Sequence, residues 1–132
     1  TVFTLDAGHV APNVLTLPNA GTGGTAVRDV TITLTCGATH AITAVTITNS
    51  TSLCKFTWTG TLATTKALII DCGAQTVTND GADAFSGFAL DATNHKQPWW
   101  FELSTGDNSV TVAITGGSTN STILFEYAEG WE

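Results

Sequence analysis

A chain of 132 residues has the length of one domain with its own core, and a domain of that size buries roughly two-thirds of its unfolded surface. Acidic residues outnumber basic ones 11 to 4, a net charge of −7, and Arg28, Lys55, Lys66 and Lys96 are scattered, so nucleic-acid binding and attachment to an anionic membrane surface are both disfavoured. Charged residues make up 11% and apolar ones 42%, which is not the composition of a disordered chain.

Threonine is the dominant residue, 26 of 132. It is β-branched and polar, which suits the wet face of a strand. The first ten residues have no basic start and no long apolar run, so no targeting segment is expected. Pro18 to Thr25 reads as a flexible surface loop inside the domain. The first clear strand is Asp29 to Cys36, where Val30, Ile32, Leu34 and Cys36 alternate with three threonines. Val45–Thr48 repeats the alternation and stops at Asn49-Ser50. Leu53–Trp58 follows, with Cys54, Phe56 and Trp58 on one face, and Gly60 is read as the start of a turn. Lys66–Cys72 alternates again and stops at Gly73; its apolar run Ala67–Ile70 is far too short to span a bilayer. Thr76–Thr78 ends at Asn79-Asp80-Gly81, a tight-turn signal. Ala82–Leu90 holds one helical turn, with Phe85 and Phe88 three apart. Trp99–Leu103 reads as a strand, Gly106-Asp107-Asn108 as a turn into the strand Val110–Ile114, and Gly116-Gly117 as a turn into Ile123–Tyr127. About eight to ten short strands with turns every ~8–12 residues are expected, an antiparallel β-sandwich or barrel. No heptads and no internal repeat are visible.

Catalytic chemistry finds little support. His9, His40 and His95 fall at turns or loops, no G-x-S-x-G elbow is present, and nothing pairs Glu102 with Glu126 as glycoside hydrolysis requires. The run from Asn79 to Asp83 lacks the alternating acids and distal Glu of a calcium loop and reads as a hairpin turn. Cys36, Cys54 and Cys72 fit no metal spacing; they read as buried thiols in strands, with one disulfide plus a leftover thiol as the alternative, and free thiols imply folding in a reducing compartment. No catalytic, cofactor or metal site is therefore expected. Two N-x-[ST] sequons, at Asn49 and Asn120, match the number chance produces in so Ser- and Thr-rich a chain.

The aromatic run Trp99-Trp100-Phe101 is the remaining signal. Neighbouring side chains on a strand point to opposite faces, so one tryptophan faces outward. It either anchors a protein interface, stacks on a sugar, or is covered by a loop such as Asn94-His95-Lys96-Gln97. Trp131 is open to the same readings. Trp99, Trp100, Trp131, Asn94 and His95 are thus the candidate partner or glycan contacts.

Several segments resemble a known family. Trp100-Phe101-Glu102-Leu103-Ser104-Thr105-Gly106-Asp107-Asn108-Ser109-Val110-Thr111-Val112 is similar to a "W-F-E-L-x-P-G-D-N-x-I-T-V" stretch of tailed-phage tail proteins. Upstream, Phe56–Leu62 is similar to "F-T-Y-T-G-T-L", Ala67–Cys72 to "L-V-I-D", and Thr76–Ala84 to "T-V-T-L-N-G-x-D-A". The end of the chain, Thr122–Tyr127 followed by Trp131, resembles "V-T-F-x-Y-R-P-R-W". The matches keep their order over residues 53–131, and the family is the C-terminal galectin-like domain of siphophage distal tail proteins and related baseplate proteins. The resemblance implies a galectin-like or jelly-roll-like sandwich without catalysis. In distal tail proteins this domain decorates a hexameric ring, built by a separate N-terminal domain, that joins the tail tube to the host-recognition apparatus. Here His9 stands where the family often has Asn, and Ala128-Glu129-Gly130 replaces its basic tail. Residues 1–132 are read as one sandwich domain, either free-standing or the C-terminal domain of a longer tail protein. The expected function is a structural virion protein of the tail tip or baseplate, assembled in the host cytoplasm and held by other virion proteins and by further copies of itself. A carbohydrate-binding module for host attachment and a capsid decoration protein are the alternatives. No cofactor, nucleic-acid partner or membrane insertion is expected.

Overall fold

Alternation of apolar residues with threonine produces strands that bury one face. In a computed structural model, which describes residues 2–5, 13–19, 26–116 and 121–127, the chain forms strands β1 (Val2–Leu5), β2 (Asn13–Asn19), β3 (Thr31–Thr35), β4 (Ile42–Asn49), β5 (Cys54–Leu62) and β6 (Ala67–Asp71). These are followed by β7 (Thr76–Asn79), β8 (Ala82–Asp83), a single 3-10 turn at Phe85–Gly87, β9 (Phe88–Leu90), β10 (Gly106–Gly116) and β11 (Ser121–Glu126). They make two antiparallel sheets, ordered β1-β11-β3-β6-β7-β8 and β2-β10-β4-β5-β9. The fold is an all-β antiparallel sandwich, as the sequence leads one to expect.

The core lies between the sheets. Val30, Ile32, Leu34, Phe56, Ile70, Val112 and Phe125 are all buried to within 1%. Burying a side chain of this kind stabilises the fold by about 2 kcal/mol each. Phe101 bridges the layers: its ring centroid lies 6.3 Å from Phe56 of one sheet and 6.1 Å from Phe125 of the other. The three cysteines are buried with free thiols. Burial pushes the thiols of Cys54 and Cys72 up, with Asp71 and Asp29 adding to the effect at Cys72, so neither is a ready thiolate.

Several local expectations are corrected. β2 lies within a stretch where no clear strand is expected. It is an edge strand, so Pro18, which has no N–H to donate, is tolerated opposite Asp107. Gly60 does not begin a turn but continues β5. The indole of Trp58 lies over it, and a Cβ there would come within 2.7 Å of the ring. Gly106-Asp107-Asn108 is already strand, paired with Asn19, Pro18 and Leu17. Trp99–Leu103 is not a strand: residues 97–100 are bends, and only Leu103 bridges to Val27. The reason is visible in the packing, since Trp100 and Phe101 are both buried, which a period-two strand facing one core cannot achieve. The Asp80-Gly81 turn, by contrast, forms as expected, with φ of 52° and 84° joining β7 to β8.

Candidate functional site

The irregular stretch between β9 and β10 carries most of the candidate residues, and polar side chains pin it to the sandwich. Asp91 accepts from the amides of Thr93 and Asn94 and so caps the first turn. Those two amide bonds, Asn94's first, hold its carboxyl below the usual range, assisted by Lys55 3.5 Å away. His95 Nδ1 accepts from the Lys55 amide at 2.9 Å, and Nε2 lies 2.6 Å from the Trp99 carbonyl; the tautomer protonated at Nε2 satisfies both. Gln97 donates to the Ser52 carbonyl, and the Glu102 carbonyl accepts from Ser52 Oγ at 2.6 Å and Asn49 Nδ2 at 2.8 Å.

The far end of the stretch is closed by Asn108, which is fully buried. Its Oδ1 accepts from the Ser104 amide and from Asn49 Nδ2, and its Nδ2 lies within hydrogen-bond reach of the carbonyls of Ser104, Gly106 and Leu17. Asn49 is equally buried, so its sequon is no glycan acceptor. Apart from the sequon at Asn49, neither asparagine stands out as a site in the sequence. The one available signal was the Gly-Asp-Asn run within the resemblance, and the structure assigns Asn108 a clamping role there.

Trp99 opens onto the surface. It lines a cleft of about 500 Å3 with Arg28, Asp29 and the 71–75 turn between β6 and β7. The Arg28 guanidinium sits 3.8 Å from the centre of the indole, and its Nε contacts Glu102 Oε1 at 2.9 Å, where the Glu102 side chain is only 12% exposed. Paired amide–carbonyl bonds between Val27 and Leu103 (2.9 and 2.8 Å) bring these two segments together. On the opposite wall, Asp71 Oδ1 accepts from the Ala74 amide, and Gly73 lets the Asp29 carboxylate close over the turn, where any Cβ would collide with it.

The structure separates the candidate residues. Trp99 is half-buried and lines the cleft, whereas Trp100 is 7% exposed and stacks on Phe88 (4.0 Å) and Phe85 (5.8 Å). Trp100 is thus covered by the 3-10 turn and β9 rather than by residues 94–97. Asn94 is exposed but, like His95, does not line the cleft; His95 acts through the backbone of Trp99. Trp131 lies outside the described residues. Glu102 pairs with Arg28, while Glu126 is exposed on β11. Asp80 and Asp83 serve the hairpin and the 3-10 turn, Asp80 lying 3.7 Å from Lys66 and Asp83 accepting from the Phe85 amide. Among the described residues no cluster of three or more His, Cys, Asp or Glu is arranged to hold a metal ion, and no helix is long and apolar enough to cross a membrane.

A family model described as the siphovirus-type tail component, C-terminal domain, matches residues 23–131. No curated protein and no solved structure matches the chain.

Proposed function

Because the chain belongs to the siphovirus-type tail component C-terminal domain family, and is therefore a structural component of a phage tail within the virion, we propose that it is a tail-tip or baseplate sandwich that works through contacts with neighbouring virion proteins and not through catalysis. The match over residues 23–131 carries this reading. The surface supports it. Val14 on β2 is 68% exposed, and Phe85 and Leu90 beside the β9 edge are 51% and 40% exposed, the kind of apolar residues that neighbours in an assembly cover. Charged residues make up only 11% of the chain and three of the four cations have acidic partners, which lowers the charge that must be stripped of water when subunits pack. Asn94, His95 and Trp99 are the candidate partner or glycan contacts that solvent reaches. In this reading the domain is assembled in the host cytoplasm, in several copies per particle.

The test is immunogold labelling of purified virions with antibody raised against this chain. Gold at the distal end of the tail is the expected result. Gold on the capsid would replace the proposal with a decoration role, and gold along the whole tube would exclude the tail tip.

A further inference from the structure

We propose that the cleft walled by Arg28, Asp29, the 71–75 turn and Trp99 binds an uncharged sugar ring, a role beyond the structural one above. Its volume of about 500 Å3 lies within the roughly 300–1,000 Å3 of small-ligand sites. A pyranose presents C–H groups on a ring face and hydroxyls around its rim. The part of the indole that solvent reaches, beside a carboxylate and a carboxamide, matches both. The cleft holds this set with bonding capacity to spare: within the described structure the Asp29 carboxylate, the Gln75 carboxamide and the Trp99 indole N–H make no hydrogen bond of their own.

The walls are built in advance. Glu102 anchors Arg28 over one face of the indole, His95 fixes the Trp99 backbone, and Asp71 and Gly73 shape the opposing turn. The Trp99 backbone and the opposing turn, held by these partners, lose little freedom when a ligand arrives, which is what a weak, hydroxyl-rich ligand requires. Charge selects the class of sugar. The Arg28 cation is matched by Glu102, leaving Asp29 and Asp71 on a protein of net charge −7, so an acidic saccharide is repelled and an uncharged one is not.

Saturation-transfer NMR on the full chain with glucose, galactose, mannose, N-acetylglucosamine and their disaccharides tests this. Transfer to the ring protons of at least one of them is expected. Trp99→Ala weakens that binding about tenfold or more, and Asp29→Asn, which keeps the shape and removes the charge, weakens it less. Thermal melts of both variants check the fold. If Trp99→Ala fails to fold, Asp29→Asn alone decides, with unchanged binding counting against the site. The proposal is overturned if none of these sugars shows transfer, if Trp99→Ala binds as the parent does, or if only an acidic sugar such as glucuronic acid binds. It is also overturned if the chain binds no sugar and phage carrying Trp99→Ala fail to assemble, since Trp99 then contacts protein. None of these outcomes alters where gold labels the particle, so this proposal and the tail-tip reading fail separately.

Discussion

The two ends of the stretch from Trp99 to Asn108 follow opposite rules. At Asn108 every polar group faces another inside the protein: one carboxamide serves two donors and three carbonyls in a site sealed from water. At Trp99 the aromatic ring, a carboxylate and a carboxamide meet at an open cleft with donors and acceptors unused. The same contrast appears between adjacent residues, for Trp100 is locked under Phe88 while Trp99 is half-open beneath Arg28. A buried polar group without a partner is costly, so the closed end is constrained by stability. The open end is free to be shaped by binding.

That contrast predicts a graded series of substitutions. The largest loss is expected for Trp100→Ala, about 3–5 kcal/mol in a urea melt, because it empties a packed aromatic site. A loss below about 1 kcal/mol would mean that the stack on Phe85 and Phe88 is not part of the core. Asn108→Ala is expected to cost about 2–4 kcal/mol, because it strands the Ser104 amide and several buried carbonyls at once. Amide exchange should show residues 103–108 losing protection before the rest of β10. Gly73→Ala pushes a methyl group into Asp29 and is expected to cost about 1–2 kcal/mol. Asp29→Ala in the same chain should relieve most of it, and additive losses would disprove the contact. Trp99→Ala is expected to cost about 1–2 kcal/mol, since it removes a cation–π contact and the packing of a half-buried ring. A loss as large as that of Trp100→Ala would abolish the distinction between the two tryptophans.

The smallest effect concerns pH. Because the Asp91 carboxyl is held below its unfolded value, chiefly by the Asn94 and Thr93 amides, its contribution is present above the unfolded pKa near ~3.9 and is lost as pH falls through the lower folded value. Asp91→Asn should therefore flatten the acid limb of the stability curve and leave the neutral region little changed. An acid limb identical to the parent's would show that the cap makes no contribution.

The cores of β3, β4, β6 and β11 were legible because each buries one face: a period-two pattern is a direct image of a half-buried strand, and Val30, Ile32, Leu34 and Ile70 carry it without interruption. The Asp80-Gly81 turn was legible because its backbone geometry is set by the residues within it. The ordered motifs from Phe56 to Tyr127 were enough to point to a siphophage tail protein, and the family match over residues 23–131 bears that out. What the local pattern misassigned depends on partners distant in sequence. Gly60 reads as a turn until Trp58 covers it, and Gly106-Asp107 reads as a turn until β2 pairs with it. Trp99–Leu103 reads as a strand until Trp100 and Phe101 are both drawn inward. The cleft belongs to the same class: Arg28, Gly73 and Trp99 are brought together only by the Val27–Leu103 bridge and the β6–β7 turn. Alternation and turn chemistry act between near neighbours, so the sequence alone determined the strands, the sandwich and the kinship. Which tryptophan was buried and which was left at the mouth of a cleft was decided by packing between segments far apart in the chain, which only the tertiary structure brings together.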